Sequence, residues 1–519
     1  MFRRALVALA VVAVVASGCS GGDGDDAGSD PTSTTVAPSS STVPEDPELA
    51  EAECWWSEAE LAEMPEDVTV TCGTLEVPAD RTDAEGGVVT LAVARLHHAE
   101  ADAGAEPVVY LHGGPGGDAL VSPPLGLAGN DALAERDIIT FDQRGVGRSL
   151  PSLDCPEKEE AILDALASTD DFATEHEVNR AAVRACYERL VSEGNDLDDY
   201  DTLASVADME SLRRAVGVEQ WNVWGVSYGT RLGLAYAREH PDRIRSLVID
   251  SVYPPEAGGV ERTKALPQGA LDRLVEACAE DEACSTAIGD LGAVLDDAVA
   301  AFDAEPAELT GTVPVGGEDV ERSFALTGTD VRAGMFAALY DSELIPLLPS
   351  VLAGLATGDR SIIPTFIEVG VPRLIELSEG AFYSVECADS GRLLDGADAE
   401  AELARVDEDA LIALNSAQVF CQDWEVEHLP ESFNEQAVPD VPTLVFGGTL
   451  DPITPYADSR AQAEAMPDAR LVTVPNAGHG VGGFDECTRE ARTGFWADPA
   501  ADLPACVEDI RGVTFTVGG

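Results

Sequence analysis

Residues 221–229 read Trp-Asn-Val-Trp-Gly-Val-Ser-Tyr-Gly, and this stretch decides the fold of the chain. The apolar, aromatic run over residues 221–224 predicts a buried strand. The last five residues fit the pattern G-x-S-x-G, and a helical pattern follows over residues 230–239. A serine on a sharp turn between a strand and a helix is held exposed, as a nucleophile requires. Although G-x-S-x-G also arises by chance as a glycine-rich turn, this setting makes Ser227 a candidate nucleophile.

On both sides of this stretch, short apolar runs alternate with helical patterns. Apolar runs bounded by glycine or proline predict strands, and longer periodic stretches predict helices. Strands that alternate with helices predict a largely parallel α/β sheet, preceded here by an N-terminal hairpin. The predicted strands lie at 68–77, 88–96, 107–111, 137–141, 221–224, 244–250, 441–448 and 469–474, and the predicted helices at 157–167, 174–192, 202–216 and 230–239.

The alternation stops near residue 255 and resumes near residue 441. The intervening residues 256–435 carry mostly helical patterns with acidic faces and breaks at glycine or proline. We interpret them as a helical cap inserted into an α/β core that residues 51–255 and 436–519 form together. A cap over the carboxyl edge of the sheet would determine the substrate.

Two further residues have the type and position that a serine nucleophile requires in its partners. Asp451 follows the strand predicted at 441–448, and His479 follows the strand predicted at 469–474. A carboxylate orients an imidazole and stabilises its charged form, and the imidazole removes the serine proton. Because open α/β sheets place their sites at the carboxyl ends of strands, the order Ser227, Asp451, His479 predicts a catalytic triad.

A glycine-rich loop predicts the site that stabilises a developing oxyanion. It reads His-Gly-Gly-Pro-Gly-Gly over residues 112–117. Gly114 can present its backbone N–H without obstruction, and Tyr228, the residue after the candidate nucleophile, supplies a second donor. No Lys-Ser or Lys-Thr pair follows the loop, so a phosphate-binding P-loop is excluded. Arg144 is interpreted as a structural charge that bridges loops below the site.

The N-terminus has the features of a targeting segment. Residues 1–19 combine a short basic region with an apolar stretch too short to span a bilayer, and they end in Ala-Ser-Gly-Cys. This ending resembles a bacterial lipoprotein signal, in which the cysteine, here Cys19, carries lipid after cleavage; an ordinary secretory signal is the alternative. Residues 20–50 are rich in Gly, Ser, Thr, Asp and Pro, which predicts a disordered tether. We expect an exported protein, anchored at the cell surface through Cys19 or secreted.

Cysteine usage agrees with export. Of the 11 cysteines, ten remain once Cys19 is set aside (11 − 1 = 10), which in an oxidising compartment predicts disulfides throughout. No C-x-x-C pair occurs, which argues against a zinc ribbon or a thioredoxin-like site, and we expect no metal and no cofactor. The sequence does not fix the connectivity, but pairing nearest neighbours gives 54–72, 155–186, 278–284, 387–421 and 487–506.

The charge excludes one class of partner. The net charge is −65, from 96 acidic and 31 basic residues. Binding of nucleic acid or of anionic lipid needs clustered Lys or Arg. We therefore expect no nucleic-acid partner, and contact with a membrane only through a lipid anchor.

Five motifs together resemble the proline iminopeptidase and secreted tripeptidyl aminopeptidase group of α/β-hydrolases. They are His-Gly-Gly-Pro-Gly, Asp-Gln-Arg-Gly-x-Gly-x-Ser, Gly-x-Ser-Tyr-Gly-Thr, the late Gly-x-x-Asp and Ala-Gly-His. The resemblance covers about residues 70–255 and 440–519 well and the cap loosely. It implies an α/β-hydrolase fold and a serine exopeptidase that releases short peptides or single residues from a free N-terminus.

The resemblance also implies an acidic group that holds the substrate's ammonium. In the secreted branch a Cys-x-Asp motif lies late in the cap, and here residues 385–389 read Val-Glu-Cys-Ala-Asp. A charge pair near the scissile bond fixes how many residues are counted off. Glu386 and Asp389 are therefore candidates, although in so acidic a chain a given carboxylate is more often solvated surface.

Two other functions fit the same residues. An exported carboxylesterase or lipase would use the same triad on an ester, since this fold and triad serve many chemistries. A non-catalytic peptide-binding lipoprotein would capture nutrients at the end of the tether. The intact set of Ser227, Asp451 and His479 argues against the second of these. The expected partner is a peptide or a small amide or ester substrate.

Overall fold

The computed structural model describes residues 47–83, 86–102, 104–121, 124–170, 172–258, 260–315, 318–375, 377–391 and 420–517. The predicted signal segment at 1–19, most of the tether at 20–50 and cap residues 392–419 lie outside the described residues. Across the ranges that the structure describes, no helix combines the length and the apolarity that a bilayer crossing requires.

The predicted sheet is present, with each predicted strand in its place. The strands are β1 (Ala50–Ala52), β2 (Val68–Pro78), β3 (Val88–His98), β4 (Val108–Leu111), β5 (Ile138–Phe141), β6 (Trp221–Val226), β7 (Ile244–Asp250), β8 (Ala307–Val315), β9 (Glu318–Leu326), β10 (Thr443–Gly448) and β11 (Ala469–Val474). The main sheet runs β1-β2-β3-β5-β4-β6-β7-β10-β11. Strands β1, β2, β3 and β5 pair antiparallel, and the pairs from β5 through to β11 are parallel. The parallel part therefore brings the loops after β4, β5, β6, β7, β10 and β11 to one edge.

Helices cover both faces of the sheet. They are α1 (Glu58–Leu61), α2 (Leu125–Ala128), α3 (Pro156–Ala167), α4 (Phe172–Ser192), α5 (Thr202–Val216), α6 (Tyr228–Glu239), α7 (Val260–Glu280), α8 (Glu282–Ile288), α9 (Leu291–Ala304), α10 (Gly328–Ala338), α11 (Leu348–Ala356), α12 (Ile363–Leu374), α13 (Glu379–Ser390), α14 (Tyr456–Ala465) and α15 (Glu486–Ala497). The helices predicted at 157–167, 174–192, 202–216 and 230–239 are confirmed to within two residues at each end. Local signals explain these bounds: Asp201 caps α5 by accepting the Ala204 N–H, and Gly217 ends it at φ 81°.

The cap packs on one face of the sheet through a continuous apolar cluster. On that face, Phe495 and Trp496 of α15 belong to the same buried cluster as Phe302 and Met335 of the cap. The other face is covered by α5 and α6, and Leu212 of α5 is buried there in a second apolar cluster. Since burial of apolar side chains is the main stabilising term in folding, the cap and the core stabilise each other.

The prediction of a helical cap is right for α7 to α13 and wrong for residues 307–326. There the chain forms an antiparallel hairpin, β8 with β9, in which Val313 and Phe324 are buried. Both runs alternate polar and apolar residues around Gly316-Gly317, a sequence pattern typical of a hairpin. Acidic residues on the exposed face of both strands disguise the alternation as an acidic helix face.

Five disulfides are present, and they match the nearest-neighbour pairing. They join Cys54 to Cys72, Cys155 to Cys186, Cys278 to Cys284, Cys387 to Cys421 and Cys487 to Cys506. Cys155, Cys186 and Glu157 lie close enough together to suggest a metal site. Because both cysteines are in a disulfide, neither offers the thiolate that a metal would need.

Arg144 has the structural role predicted for it. Its side chain is buried, and its Nε and Nη2 donate to the two carboxylate oxygens of Asp208 at 2.7 and 2.8 Å. Its Nη1 also donates to the carbonyl of Ala79 at 3.0 Å. The guanidinium thus fastens the loop after β5 to α5 and to the end of β2, away from substrate.

Candidate active site

Ser227 lies on the strained turn that the sequence predicts between β6 and α6. Its backbone is at φ 59° and ψ −128°, a region that costs a non-glycine residue about 1–3 kcal/mol. The turn is held on both sides, since the Ser227 N–H donates to the Asp250 carbonyl at 3.1 Å and the Thr230 N–H donates to the Ser227 carbonyl at 2.8 Å. Strain of this kind persists only where the surroundings impose it, which is typical of a functional position.

The two glycines of the motif are required by close packing. A Cβ at Gly225 would overlap the carbonyl of Gly229, and a Cβ at Gly229 would overlap the carbonyl of Leu111 at the end of β4. Any side chain at either position would push the turn away from the sheet. The motif therefore brings Ser227 down against the loop that follows β4.

The structure brings Asp451 and His479 into direct contact. Asp451 Oδ2 lies 2.9 Å from His479 Nδ1, and the exposed fractions of the two side chains are 1% and 11%. The other carboxylate oxygen, Oδ1, accepts the N–H groups of Ile453 and Thr454 at 3.1 and 2.9 Å. Thr454 Oγ1 donates to Asp451 Oδ2 at 2.8 Å and lies 3.2 Å from His479 Nδ1. The carboxylate is thus held by groups other than the imidazole, and Nε2 is the ring nitrogen that would act as the base.

The electrostatics of this pair suit a general base. Burial would lower the pKa of His479, but the charge of Asp451 and the hydrogen bond to it together raise that pKa above its ordinary value of 6.5. Burial likewise would raise the pKa of Asp451, yet the charge of His479, their hydrogen bond and the bonds from Thr454 hold it below 3.8. Asp451 therefore stays ionised and stabilises an imidazolium.

Ser227 and the loop that carries His479 share one anchor at the end of β7. Asp250 takes the Ser227 N–H on its carbonyl, while its carboxylate accepts the N–H groups of Val481 and Gly482 at 2.9 and 2.7 Å. Ser251 Oγ accepts the Gly480 N–H at 2.9 Å. Asp250 and Ser251 therefore fix the position of the histidine loop relative to the turn that carries Ser227.

The predicted oxyanion loop lies against the nucleophile. A Cβ built on Gly113 would be 2.6 Å from Ser227 Cβ and 3.1 Å from its Oγ, so only glycine admits this approach. Gly114 is the next residue, at φ 118° and exposed. Tyr228 opens α6, and the first N–H groups of a helix have no partner within it. Tyr228 thus adjoins Ser227 at the positive end of a helix, and Gly114 adjoins the glycine that contacts Ser227, so the two donors remain a prediction that this arrangement allows.

A buried carboxylate fastens the oxyanion loop to the loop after β5. Asp142 accepts the N–H groups of Leu120 and Arg148 at 3.0 and 2.8 Å. Burial, followed by the charge of Asp118, raises the pKa of Asp142 to about 8. Gln143 Nε2 also donates to the His112 carbonyl at 3.1 Å, so the Asp-Gln-Arg-Gly motif holds the start of the oxyanion loop.

The two candidates for the ammonium site lie in different environments on α13. The Asp389 carboxylate accepts the Thr202 N–H and Oγ1 at 3.2 and 2.6 Å, and lies 3.6 Å from the Arg231 guanidinium. Burial, opposed by Arg231, raises the pKa of Asp389 to about 7. Glu386, 3% exposed, accepts a hydrogen bond from the Tyr253 hydroxyl at 3.0 Å. These contacts give Asp389 a structural role and leave Glu386 as the candidate.

Three residues at this site are not predicted from the sequence: Thr454, Asp250 and Tyr340. Thr454 stands three residues after Asp451, the spacing of a local side-chain turn, which is a usable signal. Asp250 is an acidic residue directly after the apolar run at 247–249, which also marks it. Tyr340, whose ring centroid lies 5.2 Å from that of His479, is in the cap and has no signal in the sequence.

Comparisons with known proteins agree with this geometry. Residues 106–298 match the family described as alpha/beta hydrolase fold, and residues 411–506 match the family described as TAP-like protein. The tripeptidyl aminopeptidase of Streptomyces coelicolor is 26% identical over 445 residues, which cover 80% of this chain and 78% of that protein. The serine protease Hip1 of Mycobacterium tuberculosis is 26% identical over 416 residues, 74% of this chain and 77% of Hip1. The proline iminopeptidase of Neisseria meningitidis is 33% identical over 166 residues, 30% of this chain and 38% of that enzyme.

These matches confirm the resemblance that the motifs carry, and the parallel sheet with its elbow confirms the predicted fold. The chain is therefore a serine hydrolase with the α/β-hydrolase fold, and it is similar to the group that includes the tripeptidyl aminopeptidases, Hip1 and the proline iminopeptidases.

Proposed function

We propose that the chain is an exported serine aminopeptidase that releases short peptides or single residues from free N-termini. The observation that carries the proposal is Glu386, a buried carboxylate on the cap helix that is fastened to the oxyanion loop. The Ser378 N–H, just before α13, donates to the Gly116 carbonyl at 2.9 Å, and Leu377 pairs with Gly117. Helix α13 thus sets an acidic side chain at a fixed position relative to Ser227, as counting residues from an N-terminus requires.

The charges around Glu386 favour a cationic ligand. Arg231 is buried, pairs with Asp389 and lies 3.7 Å from the Tyr253 ring centroid. Two carboxylates beside one guanidinium make this cluster acidic. A substrate ammonium would add a favourable charge pair to it, because opposite charges attract strongly where water is excluded.

The proposed reaction follows from the placement of the triad. His479 Nε2 removes the Ser227 Oγ proton while Oγ bonds to the scissile carbonyl carbon, and Gly114 and Tyr228 N–H groups stabilise the oxyanion. The C–N bond then breaks, and the leaving amine takes the proton back from His479. Water, deprotonated by His479, hydrolyses the acyl-enzyme and frees Ser227.

Paired substrates test this proposal against ester hydrolysis. The chain should cleave an N-terminally free peptide p-nitroanilide with kcat/KM at least about tenfold above that for the N-acetylated peptide, a loss of one charge pair. Glu386→Gln should lower kcat/KM for the free peptide and leave turnover of a p-nitrophenyl ester largely unchanged. Equal turnover of free and blocked peptides would contradict the aminopeptidase assignment, and ester turnover alone would favour a carboxylesterase.

We also propose that the protein is exported and anchored through a lipid on Cys19. The five disulfides of the described residues support this, because disulfides persist in oxidising compartments and are rare in the cytosol. Fractionation of cells that express wild type or Cys19→Ala tests the anchor. Wild type should sediment with membranes and the variant should not; equal distribution of both would contradict lipidation.

A further inference from the structure

The loop that carries His479 is held at five consecutive backbone N–H groups, all by groups outside the loop. On the core side, Ser251 and Asp250 accept those of residues 480–482. On the cap side, the Tyr340 carbonyl accepts the His479 N–H at 3.0 Å, and Ser342 Oγ accepts the Gly478 N–H at 2.9 Å. Hydrogen bonds from both the core and the cap thus hold the backbone around His479.

The cap approaches this loop as closely as the backbone allows. A Cβ on Gly478 would overlap the Leu339 carbonyl, so a larger residue would separate cap and loop. The Tyr340 ring lies beside the imidazole and is tilted by 58° to it, with the ring centroids 5.2 Å apart. A second cap element reaches the acid, since Arg273 of α7 donates to the Asp451 carbonyl at 2.8 Å.

Residues 339–342 follow directly on α10 and are tied to its last turn. The Tyr340 N–H donates to the Ala337 carbonyl at 3.2 Å, and the Asp341 N–H donates to the Ala338 carbonyl at 3.3 Å. The segment that contacts the histidine loop is therefore held by the cap helix. The other titratable groups that face His479 are Asp451, Asp250 and His112.

We propose that the cap segment at residues 339–342 is a positioning element for His479, acting through Tyr340 and Ser342. The segment acts on the histidine loop, which it holds on the cap side through the N–H groups of Gly478 and His479. A displacement of the cap at this segment must break both hydrogen bonds to the loop, so the position of the cap is coupled to the competence of the base. This inference rests on the triad and is independent of whether the substrate is a peptide or an ester.

The test measures the rate at which a fluorophosphonate labels Ser227 in the full chain, since labelling needs the histidine but no peptide. Tyr340→Ala removes the ring and Ser342→Ala removes the acceptor for Gly478, whereas Tyr340→Phe and Ser342→Thr keep them. Phe336→Ala is the matched control: Phe336 is buried in α10, with its ring centroid 6.1 Å from that of Tyr340. It weakens cap packing at the same helix.

In both alanine variants, Ser227 should react with the fluorophosphonate at least about tenfold more slowly than in wild type. Their KM for a peptide should stay within about threefold of the wild-type value. Tyr340→Phe and Ser342→Thr should retain most of the wild-type labelling rate. Tyr340→Ala should also move the acid limb of the labelling profile to higher pH. Burial lowers the pKa of His479, and removing the ring admits water. Rates that fall no further than in Phe336→Ala, or an unmoved acid limb, would overturn the proposal. If the aminopeptidase assignment alone were wrong, peptide turnover would be absent and the labelling results would stand.

Discussion

Replacing Thr454 by valine removes one hydroxyl at the centre of the Asp451–His479 contact while preserving side-chain shape. The side chain of Thr454 is 3% exposed, and its Oγ1 donates to Asp451 Oδ2 at 2.8 Å. In the variant, Asp451 keeps the imidazole and two backbone N–H groups but loses its fourth donor. No water replaces the hydroxyl easily, because the site is buried.

The size of the effect follows from the charge on the acceptor. A hydrogen bond to a charged group contributes about 1.5–3 kcal/mol, which corresponds to roughly 10- to 150-fold in rate if it is lost wholly in the transition state. The hydroxyl lies on the Nδ1 side of the ring, remote from substrate. We therefore expect kcat to fall within that range and KM to change by no more than about threefold.

The assay is steady-state hydrolysis of an N-terminally free peptide p-nitroanilide, with Thr454→Ser as the matched control. Serine keeps the hydroxyl and loses one methyl group, so it should retain most of the activity. Melting temperatures of both variants separate loss of folding from loss of rate. An undiminished kcat in Thr454→Val, or an equal loss in Thr454→Ser, would refute the reasoning.

Gly229→Ala should destabilise the fold by about 1–3 kcal/mol or more, because the added Cβ would overlap the backbone of Leu111. Gly233→Ala in the same helix meets only ordinary contacts, so its melting temperature should be unchanged or slightly higher. Equal melting temperatures for the two variants would contradict this prediction. The acid limb of the kcat/KM profile should lie above pH 6.5, because the pKa of His479 is raised above that value. His479 must be neutral to act as a base, so activity falls as the pH drops through this pKa. An acid limb below pH 6.5 would contradict the stabilisation of the imidazolium by Asp451. Removing the Cys387–Cys421 disulfide, which closes a loop of 34 residues, should lower the free energy of unfolding by roughly 4 kcal/mol through loop entropy. Removing Cys278–Cys284, which closes a loop of 6 residues, should lower it by roughly 2 kcal/mol, as chemical denaturation would measure. A smaller loss for the longer loop would count against the entropic explanation.

The sheet and the contact between Asp451 and His479 could be predicted because their signals are local. Apolar runs between turn residues mark β4, β5, β6 and β10, and the elbow glycines are dictated by contacts with the adjacent backbone. Chain order then assigns Asp451 and His479 without any knowledge of distance. Each of these inferences needs only a few consecutive residues and the rule that parallel strands share an edge.

The supports of the site could not be predicted, because they depend on residues far apart in sequence. Tyr340 meets His479 only after the cap has folded back over the sheet, and Arg231 neutralises Asp389 from another helix. The β8–β9 hairpin was missed for a different reason, since exposed acidic residues disguised its alternation. Local pattern thus predicts the candidate reacting groups, and tertiary packing decides the environment of each carboxylate.

Covalent labelling followed by peptide mapping decides whether Ser227 forms an acyl-enzyme with peptides that have a free N-terminus. The chain should take up one fluorophosphonate, on Ser227, and Ser227→Ala should take up none. A tripeptide with a free N-terminus should slow labelling of wild type, and its N-acetylated form should not. Labelling at another residue, or equal protection by the two peptides, would contradict the account.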